Sequence, residues 1–259
     1  MKVFFIGDIV GDIGRKIVKD NLPKIVDRYK VDLVIANGEN SAGGFGITQK
    51  VAEELFSMGI HILTSGNHIW DKKEAIGYIT KENRLLRPAN YPPMVPGVGS
   101  IVINTHPGEK AAILNLSGRT FMHPIDCPFQ VAEKELRELS KEVKVIIVDF
   151  HAEATSEKWA MGWFLDGKVS AVIGTHTHVQ TADEQILPEG TAYITDVGMT
   201  GPVHSIIGIK KEQIIERFLT QMPRRFEIAK GPSLLCGIVI EIDSKTGKTL
   251  ALQRLQLRD

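Results

Sequence analysis

Short apolar runs, each stopped by glycine or a polar residue and most followed by a helix-patterned segment, set the folding problem for this chain. Residues 3–6, 32–36, 60–64, 145–148, 169–173 and 191–195 are such runs. They are too short for helices and rich in β-branched side chains, so they predict buried strands. Between the first two, Ile13, Ile17, Val18, Leu22, Ile25, Val26 and Tyr29 keep to one helical face, and Pro23 predicts a kink or a division. Further helices are expected over 48–58, capped by Thr48, over 72–80, capped by Asp71, and over 130–141, 156–165 and 210–220. In 156–165, Trp159, Trp163 and Phe164 predict core packing. Strands alternating with helices require a largely parallel core sheet.

Two hairpins break the alternation. Residues 100–105 pair with 111–116 around His106 to Glu109, and 235–242 pair with 249–257 around 244–247. They imply a second, antiparallel-rich sheet packed on the first. The segment 84–99 holds Pro88, Pro92, Pro93 and Pro96, and predicts an ordered excursion over the surface. No linker, repeat or low-complexity tract divides the chain, so a single domain over 1–259, with two central sheets and helices outside, is the simplest architecture.

Charge excludes some functions. Lys+Arg and Asp+Glu balance at 31 each, which argues against a basic face for long nucleic acid or an anionic membrane. No apolar run approaches the roughly 20 residues that span a bilayer, and residues 3–6 are too short for a secretory signal. Cys127 and Cys236 are too few for a disulfide framework and read as small buried hydrophobes; a reducing, cytoplasmic setting is expected.

The chemistry concentrates at strand ends, where open α/β sheets bind ligands. The run 169–173 delivers His176 and His178, which in extended chain leave on the same side, roughly 6 to 7 Å apart at Cα. Other runs end in Asp8, in Glu39 and Asn40, in Asn67 and His68, and in His151. Taken singly, Asp8 and Asn67 suit turns or helix caps, and His151 suits a satisfied core histidine. Together they form an N/O donor set without thiolate, suited to borderline-to-hard divalent ions and large enough for two.

Gly7-Asp8, Gly38-Glu39, Gly66-Asn67-His68, His151 and Gly174-Thr175-His176-Thr177-His178 resemble the ordered motif series of the calcineurin-like metallophosphoesterases. The first motif departs from the usual Asp-x-His, reading Asp8-Ile9-Val10, and the second carries Glu39 and Asn40 where an Asp is usual. Those departures, with Gly66 to Asp71 as a Gly-Asn-His-x-Trp-Asp motif, resemble the YmdB-type bacterial cyclic-nucleotide phosphodiesterases over nearly the whole chain.

The resemblance implies an α/β fold, a four-layer αββα sandwich of two central mixed β-sheets flanked by helices. It implies two divalent ions: Asp8, Asn40 and His178 on the first, Asn67, His151 and His176 on the second, Glu39 bridging, and His68 as the general acid. The oxygen-rich first site favours iron or manganese over zinc. The implied reaction is in-line attack on phosphorus by a hydroxide bridging the ions, with a cyclic nucleotide or another small phosphodiester as substrate. Removing His176 or His178 is expected to cost one ion each. A phosphomonoesterase, a nuclease, or a regulatory binding protein with vestigial turnover are the alternatives, and a homo-oligomer is compatible with all.

Other residues are less telling. Arg15, Arg87 and Arg119 read as solvated surface cations. Residues 7–14 lack the Lys-Ser/Thr ending of a P-loop and the spacing of a dinucleotide fold. Phe45, Trp70 and Tyr91 sit on loops near the strand ends, where they pack locally or stack on a base. His61, His106, His123 and His204 read as structural or exposed, with His123 and His204 on loops able to border the pocket.

Overall fold

The computed structural model describes residues 1–105 and 108–259; His106 and Pro107, at the expected tip of the first hairpin, lie outside the described residues. The first half of the chain runs β1 (Lys2–Ile6), β2 (Asp8–Ile9), α1 (Gly11–Tyr29), β3 (Leu33–Asn37), α2 (Gln49–Ser57), β4 (Ile62–Thr64), α3 (Lys73–Ile79), β5 (Ser100–Asn104) and β6 (Lys110–Ser117). The second runs α4 (Pro128–Glu142), β7 (Val145–His151), α5 (Thr155–Leu165), β8 (Ala171–Thr175), β9 (Gln185–Ile186), β10 (Ala192–Ile194), β11 (Met199–Pro202), α6 (Lys211–Thr220), β12 (Ser233–Ile242) and β13 (Thr249–Arg258).

Two mixed sheets result. One has the order β2-β11-β12-β1-β3-β4, with β13 also paired to β12; the second has the order β5-β6-β7-β8-β10-β9. The parallel strands are therefore shared between the sheets instead of forming one, and the two hairpins do not make an antiparallel sheet of their own. Strand β12 runs antiparallel to β1 in the first sheet, whereas β5 and β6 join parallel β7 in the second. The reason is burial: residues on both hairpins alternate, and their apolar faces are consumed by the slab between the sheets.

Alternation along β1 shows how the layers are specified. Val3 and Phe5 point into the inter-sheet core with Ile35, Ile147, Ile173 and Ile240. Phe4 and Ile6 point the other way, under Ile17, Val18 and Leu22 of α1 and Leu55 of α2. On the far side, Ala132 and Leu136 of α4 and Met161 and Leu165 of α5 cover Leu114, Val148 and Val172. This is the expected four-layer αββα sandwich. Each fully buried Leu, Ile or Phe contributes roughly 1.5–3 kcal/mol of hydrophobic stabilisation.

Local expectations fared unevenly. Thr48 caps α2, its hydroxyl accepting from the Val51 amide at 3.3 Å. Pro23 does not divide α1, which continues to Tyr29 because Leu22 and Ile25 on either side are locked in the core. The proline-bearing segment is only partly superficial: Leu85 bridges Leu63, Leu86 enters the inter-sheet core, and Arg87 and Asn90 are buried. Proline favours extended backbone in the residue before it, and here the segment continues the sheet edge beside β4. Trp163 is 53% exposed, because α5 buries the face of Lys158, Met161, Gly162 and Leu165; Trp159 packs on Tyr193 at 4.7 Å. Among the described residues no helix is long and apolar enough to cross a membrane.

Candidate metal centre

Chain direction brings the site together. Asp8 lies just past β1, Glu39 and Asn40 past β3, and Asn67 and His68 past β4, all in one sheet. His151 ends β7, and His176 and His178 follow β8, in the other sheet. The carboxyl ends of parallel strands from both sheets thus face one spot.

All seven residues nominated as ligands meet there, in two groups joined by Glu39. On one side, His178 Nε2 lies 3.3 Å from Asn40 Nδ2 and 3.7 Å from Asp8 Oδ1. On the other, His151 Nε2 lies 3.1 Å from Asn67 Oδ1 and 3.0 Å from His176 Nδ1. Glu39 Oε1 reaches both sides, 2.9 Å from His151 Nε2 and 3.4 Å from Asn40 Nδ2. Its Oε2 accepts the His68 amide hydrogen at 3.0 Å. Gly66 makes the approach possible: a Cβ there would stand 2.0 Å from Cδ2 of His151.

Each of the three candidate histidines has its outward nitrogen held by an acceptor. His178 Nδ1 donates to the Ile207 carbonyl at 2.9 Å, and His176 Nε2 faces Glu153 Oε2 at 3.1 Å. His151 Nδ1 lies 2.9 Å from Thr175 Oγ1, whose own hydrogen goes to Asp149 Oδ1 at 2.7 Å. Asp149 also accepts from Thr64 and Asn37, and burial pushes its carboxyl up to about 7. With the outward nitrogen of each ring held by an acceptor, the inner nitrogen of each is turned toward the cluster, where it can offer its lone pair to a metal ion. Glu153, Asp149 and Thr175 were not nominated by the sequence. Their one signal was position, since Asp149 and Glu153 sit two residues either side of His151 on and just beyond β7.

The electrostatics suit a cation. Burial pushes the Asp8 carboxyl up, but His178 and His151 outweigh it and hold it ionised, below the usual carboxylate range. Burial likewise opposes ionisation of Glu39, and His151 again prevails. His151 itself is pushed down by burial, yet the two carboxylates raise it to about 9, so the cluster draws in positive charge. His176, buried against His151, is lowered to about 3. Asp8 Oδ1 is fully buried and has no hydrogen-bond partner among the described residues. A buried carboxylate oxygen left unpaired is expensive in a protein interior and is what a bound cation would satisfy. Glu39, His151 and His176 already place ligand atoms within 4.8 Å of one another. The donor set therefore fits divalent ions.

The histidine loop is held under strain. His176 has φ 100° and His178 φ 67°, so the pair converges through left-handed backbone and not through the side-chain alternation of an extended strand. Such conformations cost of order 1–3 kcal/mol each. Lys158 and Asp196, both buried, hold the loop: Lys158 Nζ donates to Asp196 Oδ2 at 2.6 Å and to the Thr175 carbonyl at 2.7 Å. Asp196 accepts from the amide and hydroxyl of Thr177 at 3.0 and 2.8 Å. Replacing Lys158 by methionine strands a buried carboxylate, and is expected to lower the free energy of unfolding by about 3 kcal/mol. Urea titration checks this; a change within about 0.5 kcal/mol, ordinary for a surface site, rules out the clamp.

The remaining nominated residues separate cleanly. His68 lines the cavity above the cluster with its Nδ1 2.8 Å from Asp71 Oδ2, so Asp71 serves the histidine and not the helix cap expected of it; α3 begins after Lys72 without a side-chain cap. Phe45 lines the same cavity, edge-on to His68 with ring centroids 5.3 Å apart. Trp70 and Tyr91 pack on each other. Arg15 is tied to Asp12, Glu54 and the Ser41 carbonyl; Arg87 is buried and bonded to backbone carbonyls, contrary to a solvated role. Arg119 is exposed, as are His123 and His204, which do not line the cavity. His61 accepts the Val34 amide hydrogen.

Comparison with known proteins agrees with this architecture. The chain is 50% identical over 259 residues, 100% of this chain and 98% of the relative, to the 2′,3′-cyclic-nucleotide 2′-phosphodiesterase of Bacillus subtilis strain 168. Its fold is similar to a protein of Thermus thermophilus described as hypothetical, at TM-score 0.94 and 42% identity over 100% of each chain. It is equally similar to a phosphatase of Mycoplasma pneumoniae, at TM-score 0.94 and 38% identity over 100% of this chain and 93% of that one. The family described as YmdB-like protein matches residues 4–255, and this chain belongs to it.

Proposed function

We propose that this protein is a two-metal phosphodiesterase that opens nucleoside 2′,3′-cyclic phosphates at the 2′ bond. The observation that carries the reading is the convergence of seven donor side chains on a buried point where Asp8 Oδ1 lacks a hydrogen-bond partner among the described residues. The 50% identity, over the full chain, to a 2′,3′-cyclic-nucleotide 2′-phosphodiesterase supplies the substrate class. Asp8, Asn40 and His178 would hold one ion, Asn67, His151 and His176 the other, and Glu39 would bridge them. Bound divalent ions supply water of lowered pKa and neutralise charge on the phosphoryl oxygens.

The chain's own groups do the rest. Hydrolysis adds a water oxygen to phosphorus, breaks the bond to O2′ and leaves a 3′-phosphomonoester, so O2′ must gain a proton. His68 is placed to give it: Asp71 occupies Nδ1, leaving Nε2 to face the cavity. The His68 amide to Glu39 Oε2 contact fixes the acid against the bridging carboxylate.

Chelator treatment is expected to abolish hydrolysis of adenosine 2′,3′-cyclic phosphate, and ferrous or manganous ion to restore it better than zinc, because the first site offers the oxygens of Asp8, Glu39 and Asn40 against a single imidazole. The product is expected to be the 3′-phosphate, resolved from the 2′-isomer by chromatography. Hydrolysis that survives complete metal removal would sink the mechanism, and a 2′-phosphate product would sink the bond assignment.

A further inference from the structure

The cavity above the metal-ligand cluster has two unlike halves. Its floor is Glu39, Asn40, His68, His176 and His178; its wall is Val10, Phe45, Ile207, Ile209, Ile214 and Phe226. The volume is about 150 Å³. That volume covers floor and wall together; the wall alone is lined by aliphatic and aromatic side chains, the kind of surface on which a flat aromatic ring packs. An inorganic or sugar phosphate would use the floor and leave the wall unpaired.

Val10, Ile209 and Ile214 are buried and folding accounts for them, but it gives little reason for the other three wall residues. Phe45 and Phe226 belong to none of the three hydrophobic cores, and Ile207 is 52% exposed. Ile207 also adopts φ 47°, a conformation that disfavours β-branched residues. Phe45 is set between Gly44 and Gly46, both at positive φ. The wall is bound to the chemistry at both ends, through Phe45 packed on His68 and through the Ile207 carbonyl that orients His178.

Substrate geometry supplies the occupant. In a nucleoside 2′,3′-cyclic phosphate the leaving O2′ is on C2′, and the base is on the adjacent C1′. A proton donor at O2′ therefore has the base as its near neighbour, and the near neighbour of His68 in this structure is an aromatic ring.

We propose that the wall formed by Phe45, Ile207 and Phe226 is a nucleobase subsite that selects nucleoside cyclic phosphates over baseless ones and does not distinguish among bases. This rests on the cyclic-phosphodiesterase reading above. The wall residues carry no side-chain hydrogen-bonding group, so recognition is by stacking and burial, which every base offers.

The test compares kcat/KM for the four nucleoside 2′,3′-cyclic phosphates with that for glycerol 1,2-cyclic phosphate, which has the same strained ring and no base. The wild-type holoenzyme is expected to favour the nucleosides, with the four bases within about tenfold of one another. In Phe226→Ala and in Phe45→Ala the nucleoside-to-glycerol ratio falls about tenfold or more, the range of one lost base–aromatic stack, mostly through KM. Circular dichroism and metal per chain report that each variant is folded and loaded, and the ratio cancels any effect of Phe45 on His68 that is common to both substrates. A ratio unchanged in both variants overturns the subsite, as does a spread among bases beyond about a hundredfold, which requires hydrogen-bonded readout. If the wild type opens glycerol 1,2-cyclic phosphate but no nucleoside ester better, the subsite fails while the phosphodiesterase reading stands; if it opens neither, both fail.

Discussion

Replacing Glu39 by glutamine is expected to abolish turnover, by about a thousandfold or more, and to empty both proposed metal positions at once. Glu39 touches both halves of the cluster, His151 on one side and Asn40 on the other, while its second oxygen takes the His68 amide. Glutamine has nearly the same shape, so packing is retained and only the charge and one acceptor are lost. A neutral bridge leaves two cations facing Asp8 alone, and their mutual repulsion in a buried site is then uncompensated. His176→Ala and His178→Ala are the graded controls. Each removes a ligand from one side only, so each is expected to lose one ion and keep the other. Metal per chain by plasma mass spectrometry, with circular dichroism for folding, gives the answer. Two ions retained at normal affinity in Glu39→Gln would remove it from the bridging role.

His68→Ala is expected to lower kcat for a nucleoside cyclic phosphate by about 10²- to 10⁴-fold, the usual worth of a general acid, while both ions stay bound. Metal retention follows from the geometry: the contact between residue 68 and Glu39 is made by the backbone amide, which alanine preserves. The imidazole itself touches Asp71 and Phe45, not the ligand atoms. A leaving group that needs no proton should bypass the defect. With a p-nitrophenyl phosphodiester, whose phenolate leaves unaided, the loss is expected to shrink by an order of magnitude or more. Equal losses on both substrates would show that His68 acts in positioning and not as the acid.

The side chains that converge at the candidate site were open to a sequence reading because strand ends are local. An apolar run that stops at Gly7-Asp8, Asn37-Gly38-Glu39 or Gly66-Asn67-His68 declares its own C-terminal edge, and parallel sheets bind ligands there. The residues that orient those ligands carried no such mark. Lys158 lies within a helix next to Trp159 and looks like any surface lysine, yet it is buried against Asp196, 38 positions later. Glu153 looked like an ordinary polar loop residue and Asp71 like a helix cap, and they hold the far nitrogens of His176 and His68. Phe226, at the end of a polar stretch, gave no hint that it faces the cavity with Phe45.

Sequence by itself determined the alternation of strands and helices and which side chains stand at the strand ends, because these follow from periodicity and chain direction within a few residues. Tertiary structure alone decided three things: that the parallel strands divide between two sheets, that Asp8, Glu39 and Asn67 from one meet His151, His176 and His178 from the other, and that His176 and His178 converge through left-handed backbone. The physical reason is that the seam between sheets is made by contacts between residues a hundred or more positions apart, such as Glu39 with His151 and Asp8 with His178. Such pairings depend on how two apolar slabs pack, and no local pattern encodes them.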